Sequence, residues 1–244
     1  MNRLPTGIQG FDDLIEGGLP EFSATLLLGS YGTGKSIFGL EYLYNGAKQH
    51  GDVGVYVTFE QHPEALRNQA KQMGYDKYDH LVHEGKISVM SIPADKVNHS
   101  TEQTILDQIK EKGAKRVVID SLSALSINAP VYSLAQKELH KDGSMNSQII
   151  QSAINYEDLK KDFVYGFIRK LKESGATSLL ISEIEDGTSV DKVSEYVADG
   201  VITLKKTSVG EEINRTVHFD KLRFTNIQTA MKEFTIDNGL DVKH

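Results

Sequence analysis

Cysteine and tryptophan are both missing from this chain of 244 residues. Without cysteine there is no disulfide, no thiol nucleophile, no iron–sulfur ligation and no cysteine-containing zinc site. Prolines number five, and no stretch is rich in Pro, Gly and Ser together, so no flexible linker divides the chain. Long hydrophobic runs are lacking too: stretches such as Ala24 to Leu28 and Val117 to Ile119 fall far short of the ~20 residues a membrane-spanning helix needs. The N-terminus, Met1 to Gly10, carries no apolar core of a secretory signal. Positive charge is in deficit, with 27 Lys and Arg against 34 Asp and Glu, a formal net charge of −7 and a pI near 5.6. That balance does not suit a protein that neutralises nucleic-acid phosphates along its whole surface. An acidic globular protein of the cytoplasm is expected, long enough to bury a core without staples.

What is present is an alternation of short β-branched runs with amphipathic helical stretches, the signature of an α/β protein with a mostly parallel sheet. Thr25 to Leu28 reads as a buried strand, Ser36 to Gln49 as a helix, and Val53 to Phe59 as the second strand. A helix from Pro63 to Met73, a strand from Ile87 to Ile92, a helix from Thr101 to Lys112 and a strand from Val117 to Ile119 follow. Then come a helix from Phe163 to Glu173 and a strand from Ser178 to Ile181. Three strands without intervening helices complete the chain: Val201 to Leu204, Thr216 to Leu222 and Lys232 to Ile236. The expected fold is one α/β domain over residues 1–244, a twisted parallel sheet between helices with an antiparallel C-terminal extension. One connection is long: Ser126 to Asn155 lies between a strand and its helix where two to six residues are usual, so it reads as an insertion, with a short helix from Ser133 to Leu139.

The strongest signal is Gly29-Ser30-Tyr31-Gly32-Thr33-Gly34-Lys35-Ser36, which fits the phosphate-loop pattern G-x-x-x-x-G-K-[ST] at every specified position. Glycines let backbone N–H groups turn inward around a β-phosphate, and the positive end of the following helix points there. Lys35 is placed to reach the β- and γ-phosphates and the Ser36 hydroxyl to ligate Mg²⁺. A strand precedes the motif and a helix follows it, as the mechanism requires. Asp120 ends the apolar run Arg116-Val117-Val118-Ile119 and suits the second acidic position of a phosphate-loop enzyme; taken alone it is a weak signal, with a helix cap as the lesser alternative. Glu60 leaves the sheet at the C-terminal end of its strand, the edge where open α/β sheets bind ligands, and a carboxylate there can polarise an attacking water. Without the other motifs it would pass for a solvated loop residue.

With these residues in view, the chain resembles KaiC-like ATPase domains of the RecA superfamily, of the single-domain kind best known from archaea. The resemblance is carried by Arg3-Leu4-Pro5-Thr6-Gly7-Ile8, Gly17-Gly18-Leu19-Pro20, the phosphate loop, Thr58-Phe59-Glu60, Val118-Ile119-Asp120-Ser121, Val197-Ala198-Asp199-Gly200, Lys221-Leu222-Arg223-Phe224-Thr225 and Phe234-Thr235-Ile236, in order from Arg3 to about Gly239. It implies a RecA-type core, ATP or ADP with Mg²⁺ held between neighbouring copies, a homo-hexameric ring and a regulatory or signalling role. It further implies nucleotide contacts from Ser30 through Ile37 (Ser30, Tyr31, Gly32, Thr33, Gly34, Lys35, Ser36, Ile37) in one copy and from Lys221, Leu222, Arg223 and Thr225 in the next. Ser36 and Asp120 would hold the metal, Glu60 would be the general base, and Lys35, Lys221 and Arg223 would steady the phosphoryl charge. Strand alternation agrees in placing Lys221 and Arg223 on one face with Leu222 opposite.

Three departures shape the expectation. The family often shows two adjacent glutamates after the second strand, whereas here the second is Gln61, so hydrolysis is expected to be slow and to rest on Glu60. Glu195 and Tyr196 stand where the autokinase half of the clock protein has its hydroxyl acceptors, which argues against autophosphorylation there. The third is the insertion, where the superfamily has a pore-facing loop.

A nucleotide-gated scaffold that binds ATP, assembles and offers its surface to a protein partner is the alternative from another class. A DNA-dependent ATPase is disfavoured, because Ser126 to Asp158 and Ile184 to Lys192 each carry a net charge of −2 and because the chain opens directly on its core. His80 and His83 read as exposed surface histidines, Asp12, Asp13 and Glu16 as a solvated helix and turn, and Ser182 as either a γ-phosphate sensor or a strand-end cap.

Overall fold

In a computed structural model, which describes residues 1–128, 148–185, 188–189, 192–209, 212–227 and 231–243, the strands assemble into one large sheet and a separate two-stranded antiparallel sheet of Arg3–Leu4 and Leu19–Pro20. The chain's elements are β1 (Arg3–Leu4), β2 (Leu19–Pro20), β3 (Ala24–Gly29), α1 (Lys35–His50), β4 (Gly54–Thr58), α2 (Pro63–Gln72), α3 (Tyr78–His83), β5 (Ile87–Ser91), α4 (Thr101–Lys112) and β6 (Arg116–Asp120). After β6 come the helical residues 122–128, here α5, then α6 (Gln148–Glu173), β7 (Thr177–Glu185), β8 (Thr188–Ser189), α7 (Lys192–Val197), β9 (Gly200–Val209), β10 (Glu212–Leu222), β11 (Lys232–Ile236) and β12 (Leu240–Val242).

The strand order is β12-β11-β10-β9-β3-β7-β6-β4-β5. From β9 to β5 neighbouring strands are parallel, and β9 to β12 form an antiparallel meander, so the expected fold class holds. Parallel strands here have helices on both faces, which is why they read as nearly unbroken apolar runs. Alternation still sorts their residues. Leu27, Tyr56, Val118 and Leu179 face one core with α1, whereas Leu26, Val55, Val57, Val117 and Ile119 face the other with α4 and α6. The strand beneath the phosphate loop, β3, lies between β7 and β9, so the loop emerges near the middle of the sheet's C-terminal edge.

Two expectations change. Residues 126–128 belong to α5, and α6 begins at Gln148 rather than Phe163, so both ends of the assigned insertion are helical. The stretch Gln148 to Asp162 holds no Gly or Pro and is rich in good helix formers, which propagate the helix backwards from its buried aromatic end. The short helix expected from Ser133 to Leu139 lies outside the described residues. Asp12, expected to be solvated, is instead half-buried and accepts hydrogen bonds from Thr6 N (2.9 Å), Thr6 Oγ1 (2.7 Å) and Gly7 N (2.8 Å). Its carboxylate staples the N-terminal loop against the short 3-10 turn Asp12–Ile15. His80 and His83 are exposed, as expected, and His80 sits 3.2 Å from Glu84.

Candidate functional site

The loop between β3 and α1 adopts the conformation its glycines permit. Gly32 (φ 73°) and Gly34 (φ 105°) both lie in the left-handed region that L side chains rarely occupy, and α1 starts at Lys35 directly after Gly34. Thr33 turns its hydroxyl into the loop, onto Ser30 O at 2.9 Å. Gly34 gives α1 no side-chain cap, so the first N–H groups of the helix are left for a ligand. The Lys35 ammonium donates to the carbonyls of Gly29 (2.8 Å) and Ser30 (3.0 Å), folded back over its own loop. Burial holds its pKa below the usual lysine value, while Glu183, Asp120 and Glu60 pull in the opposite direction.

Beside the loop, β6 delivers Asp120 and β4 delivers Tyr56, whose hydroxyl donates to Asp120 Oδ2 at 2.6 Å. The Ser36 hydroxyl also bonds to the Asp120 carboxyl. Burial raises the Asp120 pKa, against these two hydrogen bonds and the attraction of Lys35. A hydroxyl and a carboxylate side by side next to a phosphate loop are the hard oxygen donors that suit Mg²⁺, which keeps several waters and shares substrate phosphates. Ser36 and Asp120 therefore fit the metal position. Among the described residues no cluster of three or more His, Asp or Glu forms an all-protein metal cage.

Glu60 stands on the turn after β4. The Thr58 hydroxyl fixes that turn by accepting from Glu60 N (3.4 Å) and Gln61 N (3.0 Å). The Glu60 pKa is raised, first by burial and then by the charges of Glu183 and Asp120, with Lys35 opposing. Lys35, Ser36, Ile37, Glu60, Gln61 and Asp120 share one cavity of about 380 Å³ that Tyr31, Gly32 and Gly34 also line.

The same cavity contains residues to which the sequence reading gave no role. Glu183, at the end of β7, lines it and accepts from the Tyr31 hydroxyl at 3.0 Å. Ser182, the residue assigned as sensor or cap, is instead fully buried with its hydroxyl 2.9 Å from that of Ser123. The pairing of Gly29 with Glu183 in adjacent parallel strands is the signal that would have chosen correctly between the two. Ile37, Ile236 of β11, Gln69 of α2 and Arg215 of β10 also line the cavity. Gln69 Oε1 and Arg215 Nε are buried there without a hydrogen-bond partner among the described residues.

Lys221, Leu222, Arg223 and Thr225 do not join this cavity within the same chain. Leu222 pairs with Gly200, and Gly200 with Thr25 at the start of β3, whereas the phosphate loop leaves the end of β3 at Gly29. Four residues of strand, about 13 Å, separate the two levels. Lys221 donates to the carbonyls of Glu195 (3.1 Å), Tyr196 (3.1 Å) and Ala198 (2.6 Å), closing the C-terminal end of α7. Burial, together with neighbouring Arg223, lowers its pKa, while Asp199 opposes them. Arg223 lies 3.4 Å from Asp199, which also binds Lys172 at 2.8 Å and Ala24 N at 3.1 Å. Leu222 is buried, and the Thr225 hydroxyl accepts from Arg3 at 2.5 Å.

The KaiC ATPase family model matches residues 4–141 and 147–243. The chain belongs to the KaiC family. The circadian clock oscillator protein KaiC of Prochlorococcus marinus is 31% identical over 248 residues, covering 97% of this KaiC-like chain and 44% of the relative. That of Synechococcus elongatus is 30% identical over 253 residues, with 98% and 44% covered. The chain thus spans less than half the length of these curated relatives. Among solved structures, a KaiC-like protein from the hyperthermophilic archaeon Pyrococcus horikoshii superposes with a TM-score of 0.79 at 30% identity, covering 100% of this chain and 99% of that one. The fold is accordingly that of a KaiC-like, RecA-type ATPase domain. Among the described residues no helix is long and apolar enough to cross a membrane.

Proposed function

We propose that this KaiC-like chain binds Mg²⁺-ATP in the cavity above β3 and hydrolyses it at a site completed by a neighbouring copy. One observation carries this reading: Lys35, Ser36, Asp120 and Glu60 converge on one cavity, while the cations Lys221 and Arg223 sit at the opposite level of the same sheet. Arranged head to tail in a ring, copies bring one level against the other, and a ring of six is the assembly the family resemblance implies.

In this reading the phosphate loop and the N-terminus of α1 hold the β- and γ-phosphates, with Lys35 swinging from its own loop carbonyls onto them. Ser36 and Asp120 hold Mg²⁺, which when bound draws off phosphate charge. Glu60 accepts the proton of the attacking water, and its raised pKa strengthens it as a base. Arg223 and Lys221 of the neighbour meet the charge that develops on the phosphoryl oxygens. The adenine lies against Ile37 and Ile236, which line that cavity.

A second reading, a nucleotide-gated scaffold, draws on Gln61, a neutral amide beside Glu60 in the cavity. Phosphate release from Mg²⁺-ATP across a wide range of protein concentration separates the two. Activity per chain is expected to rise with concentration until the oligomer is saturated. Bound ATP with no release at any concentration would favour the scaffold.

The pH profile gives a further test of Glu60. A base acts when ionised, so kcat/KM falls as pH drops through its pKa. Since Glu183 contributes to raising that pKa, Glu183→Gln is expected to move the acid limb of the profile to lower pH. An acid limb that stays in place would mean that Glu183 does not act on the base.

A further inference from the structure

We propose that Phe224 stacks on the base of a nucleotide held by a second copy of the chain. The inference rests on the shared-site reading above and adds a residue to it. β10 ends at Leu222, which is 5% exposed, and Arg223 and Phe224 form the turn that follows it. Phe224 has φ 62°, a left-handed conformation, and it is 69% exposed.

A bulky aromatic in this region of backbone space is an outlier that persists where its surroundings over-determine it, and such outliers gather at functional sites. The surroundings here are explicit. Arg3 donates to Phe224 O at 2.6 Å and to Thr225 Oγ1 at 2.5 Å, and it pairs with Glu16. Glu16 in turn accepts from Asn226 N at 3.3 Å. The turn is clamped from both sides, so the ring is held outward rather than swept through solvent.

The neighbours of the ring indicate what it meets. It directly follows the two cations placed to reach a neighbour's phosphates, and a nucleotide that brings a polyphosphate also brings a flat base. In the cavity of a single copy, Ile37 and Ile236 are apolar lining residues that can cover one face of that base. The other face is left for an aromatic from outside, and every base offers a π-face to such a ring. Phe224 of the adjoining copy supplies that second wall.

Because the chain has no tryptophan, Phe224→Trp introduces a sole indole reporter. The unsubstituted chain is first tested for assembly by sedimentation and for ADP binding by calorimetry; failure of either defeats the shared-site reading and this proposal with it. In the assembled Phe224→Trp protein, ADP is expected to quench the indole saturably, whereas inorganic tripolyphosphate, which fills the phosphate loop without a base, leaves it unchanged. Phe224→Gly, which accepts the left-handed backbone more readily, is expected to weaken ADP about tenfold, within the range found for removing a stacked aromatic, while leaving tripolyphosphate affinity unaltered. Equal indole responses to both ligands, or a Phe224→Gly protein that binds ADP like the unsubstituted chain, would place the ring against the neighbour's protein surface and overturn the proposal.

Discussion

Glu60→Gln is expected to bind Mg²⁺-ATP at least as tightly as the unsubstituted chain and to release phosphate at least about a hundredfold more slowly. The amide is isosteric with the carboxyl and stays on a turn whose geometry is set by the Thr58 hydroxyl, not by the Glu60 side chain. What it loses is the capacity to take a proton from water. The neighbouring Gln61 is neutral and cannot substitute. Binding should hold or tighten because Glu60, Asp120 and Glu183 place three carboxyl groups around one cavity, and removing one lessens the repulsion felt by phosphates. Phosphate release beside calorimetry with a slowly hydrolysed analogue separates the two effects. Turnover within tenfold of the unsubstituted rate would remove Glu60 from the role of base.

Arg223→Ala should lower turnover by about 10³-fold or more, the scale on which a guanidinium delivered to a developing phosphoryl charge acts. This substitution disturbs the fold little. Arg223 is half-buried at most and meets Asp199 at 3.4 Å, and Asp199 keeps Lys172 at 2.8 Å and Ala24 N at 3.1 Å after its removal. Lys221 is the less clean probe, since its ammonium closes the carbonyl end of α7 and its loss would loosen that helix as well as remove a charge. An Arg223→Ala chain that hydrolyses ATP normally as a verified oligomer would mean that the site needs no cation from the neighbour.

The phosphate loop, Asp120 and Glu60 could be placed from sequence because each rule behind them is local: a glycine pattern between strand and helix, and acidic residues where apolar strands end. Strand order was less legible. That β3 lies between β7 and β9 depends on long-range pairing, and with it the choice of Glu183 over Ser182 as the residue facing the cavity. Gln69 and Arg215 were invisible for the same reason, since they come from α2 and β10 and line one cavity only in the folded chain. Asp12 misled because a carboxylate beside glycines looks solvated until Thr6 and Gly7 are seen donating to it.

The most direct test of the account is to mix the two inactive chains, Glu60→Gln and Arg223→Ala, under conditions where subunits exchange. Each carries the half of the site the other lacks. With random mixing in equal amounts, about a quarter of the head-to-tail interfaces regain an intact Glu60 facing an intact Arg223. Phosphate release should therefore recover to about that fraction of the unsubstituted rate. Mixed oligomers, verified as mixed, that remain as inactive as either parent would contradict a catalytic site built from two copies of this chain.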